Sequence, residues 1–208
     1  MAKDKLIAVE HIALWNNFLN GSKEAYSEIY ELFAADLYRY GYNLVKNKEM
    51  VEDCLHELFL HLYNHRSKLG PTDNIRFYMY RALRRRLTDA VTKLSKFDTG
   101  EYVFDHADFL IQPYESQLIE EQNLERQKHL VITELNKLPK RQKEILYLVY
   151  MKGLTYQQAS EVMDITMKSV YNSINVALTT LRGYLRESFM REGLALLLLV
   201  AHKYFFKI

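Results

Sequence analysis

The stretch from Leu138 to Leu185 reads LPKRQKEILYLVYMKGLTYQQASEVMDITMKSVYNSINVALTTLRGYL and has the pattern of three helices separated by two short breaks. The first helix opens at Leu138-Pro139, because a proline in the first turn loses no helical hydrogen bond, and it ends at Gly153. Thr155 and Gln158 have the spacing of a capping box. This spacing predicts a second helix of about two turns, with its apolar side chains facing inward.

A third helix follows the turn at Asp164-Ile165. Thr166 can cap this helix, and the apolar side chains after it recur at spacings of four, four, three and four residues, which places them on one face. They are Val170, Ile174, Leu178, Leu181 and Leu185. A short helix, a tight turn and a longer helix together predict a helix-turn-helix.

Polar side chains at the caps and along the third helix are candidates for contact with duplex DNA. The second helix of a helix-turn-helix enters the major groove, where Asn, Ser and Lys side chains meet base edges. The candidates are Thr155, Thr166, Met167, Lys168, Ser169, Tyr171, Asn172, Asn175 and Arg182, with Thr179 on the same face. Spacing alone leaves open the alternative of a plain three-helix bundle with a solvated polar face.

The composition is that of a soluble, mainly helical protein. Three prolines and seven glycines in 208 residues favour long helices, and 49% hydrophobic residues with 26% charged residues exclude disorder of the whole chain. The single cysteine, Cys54, cannot form an internal disulfide and fits a reducing compartment. The first fifteen residues lack the apolar core and cleavage site of a secretory signal, so we expect a cytoplasmic protein.

Charge is segregated along the chain, although the net charge is only +2. Glu10 to Tyr63 contains nine acidic and four basic side chains, and Asn74 to Lys96 contains seven basic and one acidic. Phe97 to Glu125 contains eight acidic side chains and no Lys or Arg. Alternating blocks of charge indicate separate partners for separate segments.

The amino-terminal half is predicted to contain helices over residues 6 to 19, from Ser22 to about Leu44, and from Lys48 to His65. The apolar residues of the first two are Leu6, Ile7, Ile12, Leu14, Trp15, Phe18 and Leu19, followed by Ala25, Ile29, Phe33, Leu37 and Tyr40. We interpret their aromatic members as core residues.

The helix from Lys48 to His65 has an acidic and polar side away from its apolar face. The polar residues are Glu49, Glu52, Asp53, His56 and Glu57. They are either a solvated surface or a docking face for a basic helical partner. His61 and His65 share a face, but no third ligand is evident, so we predict no metal site.

A basic helix with interleaved aromatics follows the break at Gly70-Pro71. Met79, Leu83, Leu87 and Val91 form its predicted buried stripe. The candidates for contact with single-stranded DNA are Phe77, Tyr78, Tyr80, Arg81, Arg84, Arg85 and Thr88, with Arg76 also outside the stripe. Aromatic rings can stack on bases while guanidinium groups hold the backbone. The alternative is a basic helix that is simply solvated on one side.

Two segments lack these patterns. Residues 97–118 have no sustained period, contain Gly100 and Pro113, and are predicted to be a flexible acidic linker. The carboxy-terminal segment 191–208 has eight successive apolar residues, which are too few for a membrane span of about twenty. It is predicted to pack on its own domain or on a partner.

Two blocks of this sequence resemble sigma factors of bacterial RNA polymerase, in the extracytoplasmic-function (ECF) sub-family of the sigma-70 family. The carboxy-terminal marks are Leu138-Pro139, Arg141-Gln142, Gly153-Leu154-Thr155-Tyr156, Ala159, Ile165, Ser169-Val170 and Leu181-Arg182. The amino-terminal marks are Trp15, Phe18, Gly21, Ala25, Tyr30, Leu37, Tyr38 and Tyr40, together with the segment VEDCLHELFLHLY. The resemblance covers residues of about 12 to 186.

The resemblance implies an all-α fold of two small helical domains joined by the flexible acidic linker. Residues 1–96 would be a sigma region 2 bundle, 97–118 the linker, 119–190 a sigma region 4 helix-turn-helix domain and 191–208 an apolar tail. By resemblance, the polar face at Glu49 to Glu57 docks on the beta-prime subunit, and the basic helix opens the minus-ten element and captures an unstacked base. Tyr78 falls where the family often has Trp.

The resemblance therefore implies a non-enzymatic sigma factor that binds core RNA polymerase through its beta-prime and beta subunits, recognises the minus-ten and minus-thirty-five promoter elements, and needs no cofactor. An anti-sigma factor is a further expected partner. One departure is that Asn172 to Thr180 contains no Lys or Arg, so unaided DNA binding should be weak. The alternatives are a stand-alone helix-turn-helix regulator and a helical adaptor that binds only proteins.

Overall fold

The computed structural model describes the backbone of residues 2–97 and 131–189, and the side chains of residues 11–94 and 131–185. Within these ranges all regular secondary structure is helical, and there is no strand, which confirms the prediction of an all-α protein. The chain divides into two compact units. Phe97, predicted as the first residue of the linker, instead ends the fourth helix, and the rest of the linker and the apolar tail lie outside the described residues.

The first unit is a bundle of four helices. Their bounds are α1 Ala2–Leu19, α2 Lys23–Val45, α3 Lys48–His65 and α4 Ile75–Phe97, with a 3-10 turn at Arg66–Lys68 between α3 and α4. The predicted helices therefore form close to where the apolar periods place them. The helix α1 begins earlier than expected, at Ala2 rather than near residue 6.

Side-chain caps fix the starts of the helices in this bundle. Gly21, with φ of +95°, ends α1, and Ser22 Oγ accepts a hydrogen bond from Ala25 N at 3.0 Å to begin α2. Asn47 Oδ1 accepts from Met50 N at 3.0 Å to begin α3. These short connections turn the chain back on itself and bring the apolar faces of the helices together.

The core of the first unit is closely packed where α2 meets α3 and α4. A Cβ atom on Gly41 of α2 would lie 3.0 Å from Val51 Cγ1 of α3 and 3.3 Å from Leu87 Cδ1 of α4. The rings of Tyr40 and Tyr80 also pack there, with centroids 4.8 Å apart. An alanine at this position would require Val51 and Leu87 to move by a few tenths of an ångström, so the close approach of the three helices favours glycine.

The carboxy-terminal half of the chain holds the helix-turn-helix. Its helices are α5 Lys140–Leu146, continued by a π-helical segment Tyr147–Met151, then α6 Tyr156–Met163 and α7 Met167–Phe189, and residues 131–136 are also helical. One buried cluster joins the helical residues 131–136 to α5 and α7. It consists of Leu135, Leu138, Leu146, Ala177, Leu181 and Leu185.

The predicted apolar stripes are confirmed with small differences. Val170, Ile174, Leu181 and Leu185 are buried in α7, whereas Leu178 is half-buried and packs against the cluster beside the buried Ala177. Ile12, grouped with the apolar face of α1, is instead largely exposed. No helix within the described residues is long and apolar enough to cross a membrane.

We predict that Gly41→Ala lowers the free energy of unfolding. Because the added Cβ would meet both Val51 and Leu87, we expect the overpacking cost of about 1–3 kcal/mol to exceed the roughly 1 kcal/mol that alanine gains over glycine within a helix. Gly183→Ala in α7 is the matched control, because no heavy atom lies within 4 Å of its added Cβ and the substitution should stabilise. Urea denaturation followed by circular dichroism measures both, and equal stabilisation by the two would contradict the packing argument.

Candidate nucleic-acid interface

The helix-turn-helix begins with the capping box expected from the sequence. Gln158 N donates to Thr155 Oγ1 at 3.1 Å, and Thr155 N donates to Gln158 Oε1 at 3.0 Å. Gly153 has φ of +69°, which lets the chain leave the π-helical segment and enter α6. The buried residues of α6 are Ala159, Val162 and Met163, as predicted.

The turn between α6 and α7 depends on a left-handed residue and a second cap. Asp164 has φ of 53°, and Ile165 N donates to Ser160 O at 3.0 Å. Thr166 Oγ1 then accepts from Ser169 N at 3.1 Å and lies 2.9 Å from Ser169 Oγ. The Thr166 and Ser169 hydroxyls therefore set the start of α7, in addition to their predicted contact with DNA.

The predicted duplex-reading residues lie together on the outer side of α7 and at the two caps. Thr155, Thr166, Met167, Lys168, Tyr171, Asn172, Asn175, Thr179 and Arg182 are exposed, and Ser169 is half-buried. Because α7 buries its other side at Val170, Ile174 and Leu181, these side chains face away from the core. A polar helix side of this kind can enter a major groove.

On α4, the structure contradicts one residue of the predicted single-strand surface, Tyr80. This residue is fully buried against Tyr40, so the expectation that Tyr80 contacts DNA is wrong. The buried face of α4 is wider than one i, i+4 stripe, since the helix packs against both α2 and α3. It comprises Ile75, Met79, Tyr80, Leu83, Leu87 and Val91.

The other predicted residues of α4 remain at least partly accessible. Arg81 and Arg85 are exposed, while Phe77, Tyr78, Arg84 and Thr88 are half-buried. The Arg81 guanidinium lies 5.8 Å from the centre of the Phe77 ring, close enough for a cation–π contact. The Thr88 hydroxyl donates to Arg84 O at 2.9 Å. The structure thus places the exposed Arg81 beside the accessible ring of Phe77.

A residue that the sequence pattern assigned to the core packs against Tyr78. Trp15 of α1 is fully buried, its ring lies 5.1 Å from that of Tyr78, and its Nε1–H donates to Gly70 O at 3.0 Å in the loop before α4. Burial raises the pKa of the Tyr78 hydroxyl. The only sequence signal was a tryptophan in α1, and a contact across 63 residues leaves no local pattern.

The acidic face of α3 has the exposure that a docking surface requires. Glu49, Glu52, Asp53, His56 and Glu57 are all exposed, and the buried residues of the helix lie on its other side. Lys48 Nζ lies 3.7 Å from Glu52 Oε1 in an exposed pair that contributes little to stability. This surface carries negative charge on the helix that immediately precedes the basic α4.

The histidines of α3 do not form part of a metal site within the described residues. The rings of His61 and His65 stack at 4.3 Å, and partial burial with the neighbouring Arg86 and His65 lowers the pKa of His61. No group of three or more His, Cys, Asp or Glu side chains among those residues is arranged to hold a metal ion. Cys54 is buried, and this burial raises the pKa of its thiol.

Comparison with known proteins adds family information to this geometry. Residues 29–97 match the family Sigma-70 region 2, and residues 128–181 match the family Sigma-70, region 4. A relative from Bacillus subtilis (strain 168), the ECF RNA polymerase sigma factor SigM, is 28% identical over 144 residues, which cover 67% of this chain and 82% of the relative.

Two solved structures share the fold at low sequence identity. CnrH, solved in complex with the cytosolic domain of CnrY, is 16% identical with a TM-score of 0.52, and the alignment covers 85% of this chain and 97% of that chain. The sigma factor RpoE from Bartonella quintana, solved in complex with the anti-sigma factor NepR, is 16% identical with a TM-score of 0.54, over 77% of this chain and 96% of that chain.

The two family matches occur in the order and in the separate helical units that the sequence pattern indicates, and together they cover more than half of the chain. Proteins of this family are transcription initiation factors rather than enzymes. The chain therefore belongs to the sigma-70 family, as a sigma factor of bacterial RNA polymerase in the extracytoplasmic-function sub-family.

Proposed function

We propose that this sigma factor binds core RNA polymerase, directs it to promoters with particular minus-ten and minus-thirty-five elements, and melts the DNA upstream of the start site. The observation that carries the proposal is that α3 and α4, neighbours in one bundle, expose faces of opposite charge. An acidic face cannot bind nucleic acid, whereas it suits a basic protein helix. The basic face suits a DNA backbone.

Each surface then has its own role. The acidic residues Glu49 to Glu57 dock on the beta-prime subunit, and a contact with the beta subunit is predicted for the second unit. Arg81, Arg84 and Arg85 hold separated strands, while Phe77 and Tyr78 stack on unpaired bases at the minus-ten element. The outer side of α7 reads the minus-thirty-five element as duplex. No step requires a cofactor.

Polymerase has to supply part of the DNA affinity. In α7 the predicted contacts include only two basic side chains, Lys168 and Arg182, so this unit releases few counterions from DNA. Tethering to polymerase raises its effective concentration at the promoter. We place the protein in the cytoplasm, where polymerase works, and propose regulation by an anti-sigma factor, as in the solved complex of the related fold from Bartonella quintana.

The sparse charge of α7 also favours a second candidate, a helical adaptor that binds proteins without contacting DNA. Run-off transcription with core polymerase separates the two functions, because only a sigma factor starts transcripts at defined promoters. A pull-down with core polymerase distinguishes a sigma factor from a stand-alone regulator, because the regulator would bind DNA without retaining polymerase.

We predict that the double variant Arg84→Ala with Arg85→Ala abolishes promoter opening while leaving polymerase binding within twofold of the unchanged protein. Removing two guanidinium groups takes away backbone contacts with the separated strands. Permanganate footprinting measures opening, and a pull-down with core polymerase measures binding. The promoter for both assays comes from selection of a random library by the reconstituted holoenzyme.

The matched control is Lys23→Ala with Lys93→Ala, which removes the same charge from two exposed side chains of the same bundle. Equal loss of opening in the two double variants would show that net charge alone matters. Loss of polymerase binding by the Arg84 and Arg85 variant would show that its side chains support the fold.

A second prediction concerns docking. Asp53→Lys should weaken binding to core polymerase at least tenfold, because a like charge opposite a basic partner is repulsive. Since Asp53 is exposed, the thermal unfolding midpoint should stay the same. Glu28→Lys is the control, because it makes the same change from negative to positive charge at an exposed position on α2. This variant should bind polymerase normally. Unchanged affinity of the Asp53 variant for polymerase would refute the docking role of α3.

A further inference from the structure

The outer side of α7 carries two large, exposed hydrophobic side chains among its polar ones. Met167 and Tyr171 lie one turn apart near the start of the helix and are 43% and 47% exposed. The stretch from Ser169 to Leu181 contains no Lys or Arg. Charged readout of bases by this part of the helix is therefore impossible, and the accessible chemistry is amide, hydroxyl and apolar.

Tyr171 is held in place by its neighbours. Its ring meets that of Tyr156 edge to face, with centroids 4.7 Å apart and planes at 79°. Tyr156, the first residue of α6, is hydrogen-bonded to the Tyr150 hydroxyl, and burial together with this bond raises the pKa of Tyr150 to about 12. A half-exposed ring that is already fixed loses little conformational freedom when it binds.

A fixed apolar ring on a helix in the major groove has one kind of complement there. Base edges in that groove carry donors and acceptors, and the only apolar group among them is the C5-methyl of thymine. Tyr171 is the fifth residue of α7, within the amino-terminal part that reaches base edges in helix-turn-helix proteins. The ring and the methyl group therefore match in polarity and in position.

We propose that Tyr171, positioned by Tyr156, contacts the C5-methyl of a thymine in the minus-thirty-five element and makes that thymine a determinant of promoter choice. The inference rests on the proposed function, because it requires α7 to lie in the major groove. Tyr156 is a positioning residue, and Tyr171 is the residue that touches DNA.

The test removes the methyl group from DNA rather than the side chain from the protein. Holoenzyme is reconstituted from core polymerase and the full chain, and its promoter is selected from a random library. Each thymine of the minus-thirty-five element is then replaced by deoxyuridine, which lacks only the C5-methyl. Affinity is measured by gel mobility shift and expressed as the ratio between thymine and deoxyuridine DNA, so that differences in folded fraction cancel.

With the unchanged protein, replacement of one thymine should weaken binding about fourfold. This is the effect expected from the loss of one buried methyl group. Tyr171→Ala should reduce the affinity ratio to one. Tyr171→Phe should leave the ratio at about fourfold, because the ring and not the hydroxyl makes the contact. Tyr156→Ala should reduce the ratio, since the ring of Tyr171 is then unbraced. Val176→Ala, which shortens an exposed side chain elsewhere on α7, is the control and should leave the ratio unchanged.

Other results overturn the inference. These are a ratio of one at every thymine, a ratio that persists in Tyr171→Ala, and a selected element without thymine. If Tyr171→Phe loses affinity while deoxyuridine has no effect, the hydroxyl binds phosphate instead. In each of these cases the holoenzyme still binds its promoter, so the proposed function stands. Failure to form holoenzyme or to select any promoter would overturn both.

Discussion

The close approach of three helices at Gly41 is the constraint on which the first unit depends. With no side chain at this position, α2 lies so close to Val51 of α3 and Leu87 of α4 that an added methyl group would force both to shift. The same contact region buries the rings of Tyr40 and Tyr80. Because the inward faces of α3 and α4 are fixed at this point, their outward faces are fixed as well. The orientation of the acidic and basic surfaces thus follows from core packing.

In the proposed function, these surfaces divide the work of the protein by charge. Negative charge on α3 would repel DNA from the docking face and steer a basic protein helix toward it. Positive charge on α4 would attract the phosphates of separated DNA strands. The outer side of α7 carries little charge, so its contribution lies in shape and hydrogen bonding, which discriminate between sequences more than they add affinity. On this proposal, polymerase rather than the helix-turn-helix would determine how tightly the complex holds a promoter.

The sequence predicted the helices well because their signals are local. Caps such as Ser22, Thr155 and Thr166 and the apolar period of α7 depend on residues within one or two turns, and the structure confirms them. The sequence-based prediction was wrong at Tyr80, because the width of a buried face depends on how many helices pack on it. The bracing of Tyr78 by Trp15 and of Tyr171 by Tyr156 was also missed, because contacts between elements leave no period in the sequence.

Trp15 is the only tryptophan among the 208 residues, and it lies inside the bundle against Tyr78 with its indole N–H bound to the Gly70 carbonyl. The tryptophan emission of the unmodified protein therefore originates next to α4, the helix that we propose separates the DNA strands. A base that stacks on Tyr78, or a displacement of the preceding loop, alters the surroundings of this indole. The chain thus contains a built-in optical reporter, and a dye attached to α4 would be unnecessary.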